Sequence, residues 1–231
     1  MMVEEILNFP LKILNKRIPK KEVLENLNLN SAQKKYLKEI EKISLLYLLN
    51  KDTTTIPPFV DEIYDYSSIL VLEVILNSDK HIKQLSSIFQ LIPQNLMIFF
   101  IYDDKIILSL ASKRINKNDP TKMVIEKEYI FTFEDKNLLE KLDFNKAPKT
   151  NLFMFYKYYI DLVVSFELLK YSINETDESI LEKIKEIESK INLLKKELKT
   201  TVNLNEKVEI NMKIYKLKEE LNKLKEKNAI K

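Results

Sequence analysis

The stretch SSILVLEVILNSDKHIKQLSSIFQLIPQNLMIFFIYDDKIILSLAS, residues 67–112, decides the fold. Its first segment, Ser67 to Leu76, is apolar on both faces apart from Glu73, the pattern of a central strand covered from two sides. Asp79 to Leu91 then reads as a helix that stops at Ile92 and Pro93. Two further apolar runs, LMIFFIY and IILSLAS, flank the polar turn DDK and predict a β-hairpin. Strand, helix and strand in that order predict a parallel crossover, right-handed because only that hand packs the helix back onto a twisted sheet.

Outward from this centre, MVIEKEYIFTFE (123–134) predicts a fourth strand. On the other side, Pro10 and Pro19 each push the preceding residue out of the helical region, so residues 1–20 predict an extended lead-in. A first helix is expected over Lys21–Leu27. A second should start at the capping residue Asn30 or Ser31 and continue through AQKKYLKEIEKISLLYLL, where Tyr36, Ile40, Ile43 and Tyr47 share one helical face. NKDTTTIPPF ends it with turn formers and two prolines. Thr150 to Tyr171 predicts a helix apolar nearly all round, densest at Phe153, Tyr156, Ile160, Val163 and Phe166, and therefore buried. The expected class is α+β with α/β-like order: a small mixed sheet of about four strands packed with helices, over residues 1–172.

Residues 173–231 read differently. Ile180, Ile184, Ile187, Ile191, Leu194 and Leu198 step by fours and threes, and so do Ile210, Ile214, Leu217, Leu221 and Leu224. Ser179 with Glu182, and Asn203 with Glu206, fit capping boxes at the two starts. Two such seams joined by about four residues predict an antiparallel helical hairpin, a coiled coil. Val208, Met212 and Tyr215 fall beside the second seam, which implies a further partner for the hairpin: the globular domain, a second copy or another protein.

Composition excludes whole classes of chemistry. With no cysteine there is no disulfide, thiolate catalysis or Cys-ligated zinc. With no glycine there is no Walker loop, dinucleotide fingerprint or nucleophile elbow, each of which needs a backbone without a Cβ. The one histidine, His81, reads as an exposed residue in the first turn of its helix and makes no His-x-x-x-His pair. No catalytic, cofactor or metal constellation is readable. What survives is carboxylate chemistry, and there a divergent metal-dependent nuclease would use Glu73 or the upstream Asp61, Glu62 and Asp65; Ile75 stands where a Glu-x-Lys pair would place its lysine. No apolar run reaches membrane-spanning length, and MMVEEILNFP carries acids where a secretion signal carries cations, so the expectation is a cytoplasmic protein without a membrane.

Only two of the 38 cationic residues are arginine, Arg17 and Arg114, each beside lysines: Lys16 and Lys20, and Lys113. Arginine surviving in a lysine-saturated chain points to a bidentate anion or carboxylate contact. Lys16, Arg17, Lys20, Lys113 and Arg114 are thus candidate anion or nucleic-acid contacts, with Glu73 the candidate buried carboxylate. From Asp177 onward lysines exceed acids by three, which carries the whole formal charge of +3, but the two signs interleave as on a solvated helix face.

FPLKILNKRIPKK, LMIFFIYDDKIILSLASKR and NLNEKVEINMKIYKLKEEL together resemble a bacterial and archaeal family called domain of unknown function 4391, in the same order along the chain. The family usually shows an aromatic residue before the Asn that is Asn205 here; this chain has Leu204. The resemblance implies no activity. It implies a neighbourhood, that of helicases and DNA methyltransferases in restriction-like defence clusters, and hence a non-catalytic accessory or assembly subunit docking through its hairpin. The alternatives are a nucleic-acid binder using the two Lys-Arg clusters, and the nuclease above.

Overall fold

A computed structural model describes residues 3–27, 29–174 and 176–229. The chain divides into two compact units, Met1–Val163 and Val164–Lys231. The division falls inside the long apolar helix, whereas the change of composition lies near residue 173.

The first unit is built on six strands in the order β1-β2-β5-β6-β7-β8: β1 Lys16–Arg17, β2 Ile40–Leu49, β5 Ile69–Leu76, β6 Asn95–Tyr102, β7 Lys105–Asn116 and β8 Asp119–Phe133. A separate ribbon pairs β3, Phe59–Val60, with β4, Asp65–Tyr66. The predicted crossover is present: β5 and β6 run parallel, with Ile69 opposite Asn95, and α5 (Ile82–Gln90) joins them. From β6 the chain turns back twice as the antiparallel meander β6-β7-β8. The result is a mixed sheet packed with helices.

The sheet has two strands more than expected, and both come from segments read otherwise. The predicted helix over 31–49 is helical only at its start. Asn30 caps α3 (Ser31–Tyr36) in a reciprocal box with Gln33, a short 3-10 turn covers Leu37–Glu39, and the rest is β2. The helical spacing of Ile40, Ile43 and Tyr47 misleads because β2 is irregular. Register shifts between Ile40 and Lys42, and between Leu45 and Tyr47, reset its alternation, so both faces of the strand are apolar. The lead-in is also less extended than its prolines imply: Val3–Leu7 form a short helix, α1, with Val3, Ile6 and Leu7 buried, and Lys16–Arg17 add an edge strand to β2. The helix expected at Lys21–Leu27 is α2, Lys20–Asn26, and a single turn, α4 (Lys51–Thr54), follows β2.

On one face of the sheet, Ile43, Leu72, Val74, Ile98 and Phe100 pack with Leu85, Ile88 and Phe89 of α5, and with Val23 and Leu37. The other face carries an aromatic cluster in which Phe9 meets Tyr47 and Phe144 edge-on. The helix α6 (Leu152–Leu169) is fastened there by Tyr156, whose hydroxyl donates to the Leu96 carbonyl at 2.8 Å and accepts from the Ala111 amide at 3.0 Å. Residues of β5 such as Val71 and Val74 are inaccessible, as a strand covered twice must be.

Candidate functional site

The second unit is dominated by α7 (Glu178–Thr200) and α8 (Leu204–Asn228), joined by a three-residue turn. Asp177 caps α7, its side chain accepting from the Ser179 amide, so the cap lies two residues before the expected Ser179; Asn203 caps α8 as expected, accepting from the Asn205 amide. A bridge between Ile173 and Ala229 closes the base, which makes the helices antiparallel. Tyr171 ties the base further, donating to Glu188 at 3.0 Å while the Lys225 ammonium lies 4.7 Å above its ring.

The seams face inward. Ile180, Ile184, Ile187 and Ile191 of α7 are buried, as are Ile210, Ile214 and Leu221 of α8, while Leu194, Leu198, Leu217 and Leu224 are half-buried. A second row on α8 is exposed: Leu204, Val208, Met212 and Tyr215 are each more than half accessible. At about 100° per residue these four fall within one narrow sector roughly opposite the seam. They lie on the back of α8, further from the seam than their reading as its flank suggested.

The other sequence candidates are dispersed. Lys16 and Arg17 are exposed on the edge strand β1 and Lys20 opens α2, whereas Lys113 and Arg114 lie on β7, four strand steps or ~19 Å across the sheet. Lys113 is fully buried, its ammonium donating to the Ile92 and Gln94 carbonyls at 2.7 Å each, and burial lowers its pKa to about 7. It presents no charge to an anion at the surface. Arg114 lies 3.7 Å from Glu126 and donates to the Ile115 carbonyl. Arg17, Ser44 and Glu73 occupy one register row on β1, β2 and β5, but Ser44 stands between the other two and no ion pair joins them. Burial raises the pKa of Glu73, nearby Lys42 lowers it and Glu4 raises it.

Two polar groupings escaped the sequence. Ser86 of α5 bonds Ser109 of β7 at 2.7 Å, Gln90 donates to Ser109 at 3.2 Å, and both Ser86 and Ser87 donate to Glu128 of β8. Only the serines inside otherwise apolar runs, SSIF and IILSLAS, hinted at this network. Glu39 pairs with Nδ1 of His81, whose ring lies tilted against that of Tyr36 with centroids 4.8 Å apart, so His81 is the half-exposed residue at the N-terminus of α5 with a carboxylate partner. Nothing near His81 in sequence announces a partner forty residues away. Among the described residues, no group of three or more histidine or acidic side chains is placed to hold a metal ion.

The model of the family described as Domain of unknown function (DUF4391) matches residues 7–221. The chain belongs to this family. The match runs through the six-stranded sheet, all of α7 and most of α8. No curated protein and no solved structure matches the chain. This chain presents one exposed aliphatic and aromatic row on the back of α8, and its sheet unit holds a buried polar network between α5 and β7. No described helix is long and apolar enough to cross a membrane.

Proposed function

We propose that this DUF4391 chain is a non-catalytic accessory or assembly subunit of a cytoplasmic, restriction-like DNA-processing system, and that its helices α7 and α8 pair as a coiled coil that docks a protein partner. The observation that carries this reading is the outward row of Leu204, Val208, Met212 and Tyr215. Scattered surface apolar residues need no explanation, but a row aligned on one helix face lowers solubility and adds nothing to the hairpin's own seam. Met and Tyr are residue types enriched in protein interfaces. The family neighbourhood points to a helicase or DNA methyltransferase component as the partner.

Tagged protein expressed from its own locus, purified in low salt and resolved by mass spectrometry, tests this directly. The expected result is stoichiometric recovery of a helicase or methyltransferase subunit, lost in the triple variant Val208→Asp, Met212→Asp, Tyr215→Asp while helicity is unchanged. Full recovery by the triple variant would move the interface elsewhere, and recovery of neither component by the wild type would refute the assignment.

A further inference from the structure

The exposed apolar side chains of the second unit are confined to one end of its hairpin. Among the described residues they are Leu193, Val202, Leu204, Val208, Met212 and Tyr215, all in the half nearer the turn between α7 and α8. Charge is divided in the same way. Residues 188–216, the half nearer the turn, hold seven lysines and four glutamates, whereas residues 177–187 and 217–229 together hold six lysines and seven acids. The cationic surplus of the hairpin thus sits where its apolar surface is exposed. Neither feature is needed to close the seam, so both ask for a cause outside the hairpin.

The row from Leu204 to Tyr215 is about 16 Å long and, at about 100° per residue, spans a sector of about 80° on α8. Lys207 and Lys218 fall about 40–60° beyond its Leu204 side, and Lys216 about 40° beyond its Met212 side. Among the described residues none of these three has an acid within ion-pair distance; the ion pair of the hairpin is Lys190 with Glu186, on α7. Of the acids beside the row, Glu219 is engaged by the Tyr215 hydroxyl, which leaves Glu209. A narrow apolar row bordered by charges is how a coiled-coil strand is laid out: the row packs into a facing helix, and the bordering charges select that helix by sign. A bilayer takes a broader apolar face than this one. Nucleic acid is read by groups that reach phosphates and base edges, which Leu204, Val208 and Met212 do not.

We propose that the element seated on this row is an acidic amphipathic helix of a partner protein, about three turns long, its apolar side on Leu204, Val208, Met212 and Tyr215 and its carboxylates facing Lys207, Lys216 and Lys218. This rests on the docking role proposed above for the same row and adds the chemistry of what docks. Two synthetic helical peptides of about four turns with the same leucine stripe, flanked by glutamate in one and by lysine in the other, test it in calorimetric titration of the full chain. The glutamate peptide is expected to bind at least tenfold tighter at low salt, and the gap should narrow at high salt. Val208→Asp with Met212→Asp, both at exposed positions, should abolish binding of either peptide. The triple reversal Lys207→Glu, Lys216→Glu, Lys218→Glu, which leaves the seam intact, should invert the preference at unchanged helicity. Equal affinity for the two peptides, no binding of either at millimolar concentration, or a preference untouched by the reversal overturns the proposal. So does binding of phosphatidylserine vesicles or single-stranded DNA that the same reversal removes while neither peptide binds. If the glutamate peptide has no advantage but the native partner is still lost from the Val208→Asp, Met212→Asp, Tyr215→Asp protein, the row docks a partner of other chemistry. If that protein keeps its partner, the docking role itself falls, and this inference with it.

Discussion

Replacing Lys113 with Met should remove a pH dependence of stability that the wild type carries. Lys113 is inaccessible to solvent, and burial lowers its pKa from 10.5 in the unfolded chain to about 7 in the folded one. Between those values the unfolded chain holds a proton that the folded chain has released, so stability rises with pH across the window. Each pKa unit is worth about 1.4 kcal/mol, which sets a gain of about 4 kcal/mol between pH 7 and pH 10. The two carbonyl bonds, stronger to an ammonium than to an amine, make that an upper figure. Above pH 10 the sign reverses, because burial holds the hydroxyls of Tyr66, Tyr156 and Tyr159 protonated in the folded state while the unfolded tyrosines ionise. Urea denaturation of both proteins at pH 6.5, 7.5, 8.5 and 9.5 measures the effect. The wild type should gain stability with pH relative to Lys113→Met, which leaves two carbonyls unmatched and is less stable at every pH by about 1–3 kcal/mol per carbonyl at most. Parallel curves for the two proteins would falsify the argument, showing that the carbonyls keep the ammonium charged throughout.

The paired substitution Ile187→Asp and Leu217→Asp should melt the hairpin, since each position forfeits about 1.5–3 kcal/mol of burial and places a carboxylate in the seam. Because α7 and α8 hold about half of the α-helical residues, circular dichroism at 222 nm should fall steeply, while the amides of β5 and β6 stay protected in hydrogen exchange; loss of both signals would show that the sheet unit depends on the hairpin. Glu73→Gln should stabilise the protein at pH 7 and have no effect at pH 3. Its carboxyl is held above its ordinary pKa by burial, so the folded state loses stability as pH rises from the unfolded value, and a destabilised variant would mean that Glu73 has a charged partner.

The hairpin was legible in the sequence because the information that makes it is local. Ile184, Ile187 and Ile191, or Ile210 and Ile214, lie within two turns of one another, and a 3.6-residue period brings them to one side whatever the rest of the chain does. The same holds for the Asn30 cap, for the turn at Asp103 and Asp104, and for the β5-α5-β6 crossover, whose long apolar runs admit few arrangements. The segment 40–49 was different. Its apolar residues fit a helical face as well as a bulged strand, and what selects the strand is the presence of β1 and β5 on either side, with partners such as Leu72 and Val74 about thirty residues away. Lys113 and Asn95 look like ordinary polar residues of a loop-flanked strand. Only the tertiary structure buries them, since their carbonyl partners and the walls that exclude water come from α5, β4 and the loop between α5 and β6. Periodicity is a property of neighbours along the chain, whereas burial and strand pairing are properties of neighbours in space, and those are set when the distant segments meet.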